Sequence, residues 1–372
     1  MQTTRWKLYS DSEHAWNAMI AACEKAEVSI DLEQFIFVDD AIGQRFIDVC
    51  ARKAKEGVQI RFLWDAAGSF SFFGSAIADD LKKKGIHLLF FKTLIPGFFN
   101  IHNYRSWYLR NHRRSLVIDS KIAFTGSIGV WEKMRTWRET NIEIQGPVIH
   151  DIQAAFETMW HRALGQKETR EEKKLGRKKV HMRNKGEFIY ETNNPIPRKR
   201  YLYYRVMEAM RNAEKSIYIT TPYFVPTVRL SRILRLAAYQ GVDVRIIIPK
   251  VSDHPVVDLA ASSYFQKMFD AGVKIYYYKG ATATGNRMIH SKTFIIDENW
   301  ASIGTLNMDT ISLLYNFEAN IVSTNHHFVG EILKSFWSDI EHSELIDTKT
   351  WKRRIFLQKI PEMLVKPIRK FL

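Results

Sequence analysis

Cysteine is almost missing from this sequence: Cys23 and Cys50 are the whole supply in 372 residues. Two cysteines in helix-like apolar stretches make no disulfide framework. Both read as buried free thiols, which suits a reducing compartment. Long apolar runs are missing too. No stretch of about 18 uncharged apolar residues occurs, so the pattern predicts no spanning helix. The start, MQTTRWKLYSD, lacks the apolar core of a signal peptide. There is no G-x-x-x-x-G-K phosphate loop and no dinucleotide fingerprint. His102 and His254 stand at no metal-ligand spacing. Neither a metal nor an organic cofactor is expected.

Acidic residues are outnumbered, 40 against 55 Lys and Arg, for a formal charge of +15. Residues 167–185 hold nine Lys/Arg and three Glu; residues 351–372 hold seven and one, so these two segments carry 12 of the 15 charges. A nucleic-acid groove would spread its cations over the body of the protein. Two detached basic segments suit attachment to an acidic bilayer surface, the plainer alternative being a solvated linker and tail. The hydrophobic fraction of 46% is that of a globular chain, and the length allows two domains with cores of their own.

What the sequence does contain is a repeated constellation. His290-Ser-Lys292-Thr-Phe-Ile-Ile-Asp297 reads H-x-K-x4-D. Thr293 to Ile296 is a short β-branched run, so a buried strand is predicted. His290 and Lys292, two apart, then share a face. An imidazole beside a fixed cation suits a phosphate: the lysine holds anionic oxygens and the imidazole attacks phosphorus or carries a proton. Gly304-Thr305-Leu306-Asn307 adds a hydroxyl and an amide as further donors. One such stretch arises easily by chance. A second copy, His112-Arg-Arg114-Ser-Leu-Val-Ile-Asp119 followed by Gly126-Ser127, lies 178 residues earlier at His, Asp and Gly alike.

With both copies in view, the sequence resembles the phospholipase D superfamily, marked by a duplicated H-x-K-x4-D motif, and within it the bacterial cardiolipin synthases. LEQFIFVDDAIGQRF, LRNHRRSLVID with AFTGS, WRETNIEIQGP, and IGTLNMD with NFEANIV carry the likeness. The first motif departs from the family pattern: Arg114 stands where lysine is usual, and Gly129 where asparagine is usual. The resemblance implies a fold of two similar fused α/β domains, each a mixed sheet flanked by helices, in a pseudo-twofold arrangement with one active site at the interface. It implies a phosphatidyl transfer between two phosphatidylglycerol molecules through a phosphohistidine. His112 would be the nucleophile and His290 the acid and base, an order the residues alone leave open. Lys292 and Arg114 would stabilise the phosphoryl oxygens. Ser127, Thr305 and Asn307 are candidate oxygen donors. Glu139, at the first-half position, and Glu318, at the second-half position, would each hold a histidine. Asp119 and Asp297 complete the motifs, with a strand-end structural role as the alternative. A phospholipid hydrolase, a nuclease-like phosphodiesterase and a non-catalytic membrane protein with a decayed first site are the competing functions.

The order of elements supports the duplication. A first edge strand over Arg5–Ser10 is expected, then a helix capped at Asp11 or Ser12 and running to about Lys25. A strand over Val28–Phe37, a helix over Asp39–Glu56 and a strand over Val58–Trp64 follow. A helix ending at Leu81–Lys84 and a strand over Ile86–Phe91 come next. The second half repeats this with helices over Tyr203–Ala213, Leu230–Tyr239 and Ser262–Phe269, and strands over Ser216–Thr220, Val242–Ile248 and Val273–Tyr278. Gly57 and Gly241, and Gly85 and Gly272, mark matching helix stops. The division expected is 1–165, a basic linker over 166–185, a second half over 186–345, and a basic amphipathic tail over 346–372. Phe70, Phe72 and Phe73, and Leu94 to Phe99 with Trp107 and Tyr108, read either as loops folded into the core or as contacts to lipid. The tail reads as a segment on a membrane surface or a helix packed on the body. The resulting expectation is a monomer held peripherally on the cytoplasmic face of a bacterial inner membrane.

Overall fold

The computed structural model describes residues 4–92, 109–166, 187–196, 199–280 and 287–369. The aromatic stretch 94–108 and the basic segment 167–185 lie outside the described residues. In the first half, β1 (Arg5–Asp11), β2 (Ser29–Gln34), β3 (Gln59–Asp65), β4 (Ile86–Phe91), β5 (Ser115–Ile118), β6 (Ile122–Gly126) and β7 (Arg138–Gln145) form one sheet. Its order is β1-β7-β6-β5-β2-β3-β4. β2, β3 and β4 run parallel, and the remaining neighbours antiparallel. The helices are α1 (Ser12–Glu24), α2 (Ala41–Lys55), α3 (Ala76–Lys83) and α4 (Ile149–Ala163).

The second half comprises β8 (Phe188–Asn193), β9 (Ser216–Thr220), β10 (Phe224–Val225), β11 (Asp243–Pro249), β12 (Lys274–Tyr278), β13 (Thr293–Ile296), β14 (Trp300–Gly304), β15 (Met308–Asp309), β16 (Glu318–Ser323) and β17 (Ser343–Leu345). Its main sheet runs β17-β12-β11-β9-β13-β14-β16-β8, and β10 pairs with β15 outside it. Without β17 this is the first sheet's order over again, with β8 in the place of β1. The register repeats as well: Ser115 faces Thr125, and Thr293 faces Ile303, 178 residues later in both strands. The helices are α5 (Tyr201–Arg211), α6 (Val228–Tyr239), α7 (Pro255–Asp270), α8 (Thr310–Leu314) and α9 (His326–Glu341), with α10 (Thr348–Lys352) and α11 (Phe356–Val365) in the tail.

Local chemistry explains the boundaries. Asp11 and Asp40 cap α1 and α2, accepting from the amides of His14 and Gly43. The four glycine stops have φ of 91°, 86°, 93° and 91°, a left-handed turn that only glycine enters cheaply. The helix expected from Ser262 begins earlier, at Pro255, because proline fits the first helical turn. Helices α4 and α9 were not anticipated. Yet α9 follows an Asn325 cap and buries Phe328, Val329, Ile332 and Phe336 at helical spacing.

Three large apolar cores hold the layers. One lies between the first sheet and α1–α3, and another between the second sheet and α5–α7. The third mixes the halves, packing Val117, Ile142 and Ile144 with Ile295, Ile303 and Ile321. Each such fully buried side chain contributes about 1.5–3 kcal/mol, so the two halves are joined by core and not only by contact at the site.

The ambiguous aromatics divide. Phe72 is buried against Phe37 and Trp64, at 5.8 and 4.9 Å between ring centres, and Phe73 meets Phe90 at 5.3 Å. Phe70 is exposed. The tail packs on the body: Trp351 sits 5.1 Å from the Phe265 ring, Val365 is buried, and Arg369 lies 4.5 Å over Tyr264. Pro361 lies within α11 and does not break it. Leu364 and Ile368 remain exposed on the outer side.

Candidate active site

Both motif strands deliver their histidine just before the strand begins. His290 and Lys292 precede β13, His112 and Arg114 precede β5, and all four side chains are buried. Backbone bridges fix them across the pseudo-twofold. The His112 amide donates to the Phe317 carbonyl at 3.0 Å, and the Phe317 amide to Arg110 at 2.9 Å. In the same way His290 donates to Arg138 at 2.8 Å, and Arg138 to Met288 at 2.8 Å. Each histidine is thereby set beside the residue that precedes the other half's glutamate.

The consequence is a crossed pairing. His112 Nδ1 meets Glu318 Oε2 at 2.9 Å, and His290 Nδ1 meets Glu139 Oε1 at 2.7 Å. The expectation that each glutamate holds a histidine named no partner; each holds the one from the other half. Because β7 and β16 carry the glutamates into the interface, each carboxylate ends against the imidazole from the opposite half. A carboxylate only accepts, so Nδ1 carries the proton in each neutral ring and Nε2 keeps its lone pair.

The glutamates are themselves held. Ser127 Oγ donates to Glu139, and Ser312 Oγ donates to Glu318 Oε1 at 2.7 Å. Thr305 occupies the position matching Ser127, but its hydroxyl faces the Ala319 backbone, accepting from the amide at 3.0 Å. Ser127 and Thr305 are thus engaged with protein groups, where they were expected to face phosphate. Asp119 and Asp297 stand past the far ends of β5 and β13. Asp119 accepts from the amides of Glu27, Val28 and Ser29, and Asp297 from those of Glu214, Lys215 and Ser216. Neither bonds a catalytic imidazole; they lock the turns that enter β2 and β9.

Arg114 sits where lysine is usual and donates to the Ser127 carbonyl, while Lys292 Nζ donates to the His290 carbonyl at 2.6 Å. The longer guanidinium reaches a different backbone oxygen. Among the described residues its Nε has no partner, and neither has Asn307 Oδ1. Gly129 is the other departure. A Cβ there would lie 3.2 Å from Met134 Sδ, so Met134 fills the space, while the second half has Asn307 after its motif.

Burial sets the electrostatics. It lowers His112 and takes His290 down to about 4, against which the glutamates pull only in part. It also pushes the Lys292 ammonium well down, with Arg114 adding to the effect, and it lowers Arg114. Burial would raise Glu139, but His290, Lys292 and Arg114 outweigh it and hold the carboxyl below its usual range. The site is a pair of neutral, oriented imidazoles between two cations, suited to an anionic phosphodiester.

Further groups around the site were not singled out in the sequence as site residues. Tyr223 donates to Asp253 Oδ1 at 2.7 Å, and both act electrostatically on Arg114. Asp309 caps α8 by accepting from Ser312 at 2.7 Å, which aims Ser312. Arg138 Nε donates to Asp339 at 2.8 Å and its Nη1 to Ser291 Oγ at 3.2 Å, tying α9 to the residue between His290 and Lys292.

The family model described as cardiolipin synthase, PLD-like domain, matches residues 19–160 and 206–340. The chain is similar to cardiolipin synthases of Clostridium perfringens strain SM101 (33% identity over 96% of this chain and 75% of the relative). A cardiolipin synthase of Geobacillus kaustophilus is 30% identical over 95% of this chain and 69% of the relative. In fold it matches the crystal structure of phosphatidylserine synthase from Haemophilus influenzae, with TM-score 0.69 and 13% identity over 98% of this chain and 92% of that one. The duplicated motif, the paired mixed sheets and these likenesses agree: the chain belongs to the phospholipase D superfamily, as a cardiolipin synthase-like enzyme.

Proposed function

We propose that this enzyme transfers a phosphatidyl group from one phosphatidylglycerol to another, forming cardiolipin and releasing glycerol. The single observation that carries the mechanism is the crossed pairing of His112 with Glu318 and His290 with Glu139. His112 Nε2 attacks phosphorus, and the P–O bond to the leaving glycerol breaks. His290 supplies the proton to that oxygen. A phosphodiester anion beside His290 favours the imidazolium it needs. The incoming alcohol then gives its proton to His290, its oxygen bonds phosphorus, and the P–N bond to His112 breaks. Arg114 Nε and Lys292 face the charge that develops on the phosphoryl oxygens.

The relatives named cardiolipin synthase support the reaction, and the anionic substrate suits the two buried cations. Exposed Leu364, Ile368 and Phe70, with the basic segments 167–185 and 351–372, support peripheral attachment to a bilayer. We place that contact on the cytoplasmic face of a bacterial inner membrane, and divide the chain at 165, 185 and 345. Among the described residues no helix is long and apolar enough to cross a membrane.

The test is mass analysis of lipids after purified protein meets phosphatidylglycerol vesicles, with His112→Ala as the control. Cardiolipin and glycerol in equal amounts are expected, and neither from the variant. Phosphatidic acid in place of cardiolipin would make water the acceptor and overturn the transferase reading.

A further inference from the structure

The pseudo-twofold is broken among the rings around the two histidines, where Trp137 lies 5.1 Å from His290. Phe35 leaves β2 and meets His112 edge-on, with centres 4.8 Å apart. Tyr223, in the segment leaving the matching strand β9, meets His290 edge-on at 6.4 Å. Phe35 brings no polar atom. Tyr223 brings a hydroxyl, and that hydroxyl anchors the Asp253 carboxylate.

A carboxylate here needs an explanation. It opposes the binding of a phosphodiester anion, and it holds neither imidazole, since those belong to Glu318 and Glu139. Its Oδ2 lies 3.8 Å from His254 Nε2, too far for a hydrogen bond. The side chain keeps 17% exposure, so a ligand can reach it. An ionised carboxylate accepts and does not donate, so the partner it fits is a donor group, such as a hydroxyl.

Resting on the transferase reading above, we infer that Asp253, held by Tyr223, is an acceptor subsite on the His290 side that recognises a second hydroxyl of a polyol headgroup. One hydroxyl of the incoming glycerol headgroup loses its proton to His290 and bonds phosphorus as the P–N bond to His112 breaks. A neighbouring hydroxyl donates to Asp253. A monohydric alcohol makes the first contact and not the second.

The experiment compares glycerol, isotopically labelled to follow exchange, with ethanol as soluble acceptors of the phosphatidyl group from phosphatidylglycerol vesicles. The readout is the ratio of kcat/KM for glycerol to that for ethanol. Asp253→Asn should lower the ratio about 10- to 100-fold, the worth of one hydrogen bond to a charged acceptor. The loss should fall mainly on KM for glycerol. Tyr223→Phe keeps the ring and removes only the anchor, and should lower the same ratio by about 3- to 10-fold. A ratio unchanged in both variants, with the two acceptors losing rate together, would overturn the subsite and leave Asp253 as a group that tunes Arg114. A wild-type enzyme that transfers to neither alcohol and makes no cardiolipin would overturn the transferase reading, and the subsite with it.

Discussion

Glu318→Gln will slow turnover by about three orders of magnitude, the scale seen when an imidazole loses the carboxylate that fixes its tautomer. Glu318 Oε2 accepts from His112 Nδ1 at 2.9 Å, which leaves Nε2 free to attack. A glutamine amide turned toward Nδ1 donates where the carboxylate accepted, and moves the imidazole proton to Nε2. The nucleophile is then masked. The crossed geometry makes the prediction specific. With an aryl phosphodiester, whose leaving group needs no proton, Glu318→Gln should still block the first release of phenolate. Glu139→Gln should spare that release, because it acts on His290. The measurement is the burst of phenolate in a rapid-mixing experiment. A burst lost in Glu139→Gln and kept in Glu318→Gln would mean that His290, held by Glu139, is the nucleophile in place of His112.

Acidification will cost wild type more stability than His290→Gln. Burial depresses His290 to about 4 from its ordinary 6.5. Above pH 6.5 the ring is neutral in both folded and unfolded chains and the difference vanishes. Below 6.5 the unfolded chain takes the proton and the folded chain does not until about pH 4. Stability is therefore lost across that window, by on the order of 3 kcal/mol for this one group. Asp65 and Asp309 pull the other way, because burial raises them to about 6 and about 7. The proper readout is consequently the difference between wild type and variant. Glutamine carries no titrating proton, so denaturant midpoints at pH 7 and pH 4.5 should converge or cross in favour of His290→Gln. Parallel curves at the two pH values would show that His290 is not held neutral by its surroundings.

Much of this was legible in the sequence, because duplication turns weak local signals into strong ones. The H-x-K spacing alone says little; its return after 178 residues fixes two matching strands, and Ser115 and Thr293 do start β5 and β13. Helix stops were legible for a local reason, since a left-handed turn asks for glycine whatever surrounds it. The crossed glutamates were not legible. Their partners lie 206 and 151 residues away along the chain, and nothing in WRET or NFEAN tells which half's imidazole each will face. The same holds for Tyr223 and Asp253, 30 apart and brought together by the ends of β9 and β11. Ser127 was misread because a hydroxyl after a motif strand looks the same whether it meets a phosphate or a buried carboxylate.

Double displacement requires a covalent bond between His112 and phosphorus. Its most direct test is to quench the reaction with phosphatidylglycerol under alkaline conditions, which preserve phosphoramidates, and map the covalent adduct by peptide mass spectrometry. His290→Ala, given a phosphatidyl ester of a phenol whose leaving group needs no proton, should serve as the trapping variant, since it lacks the base that activates the incoming alcohol. A phosphatidyl mass is expected on the peptide containing His112. An adduct on His290 in wild type, or cardiolipin formed with no adduct on either histidine, would contradict it.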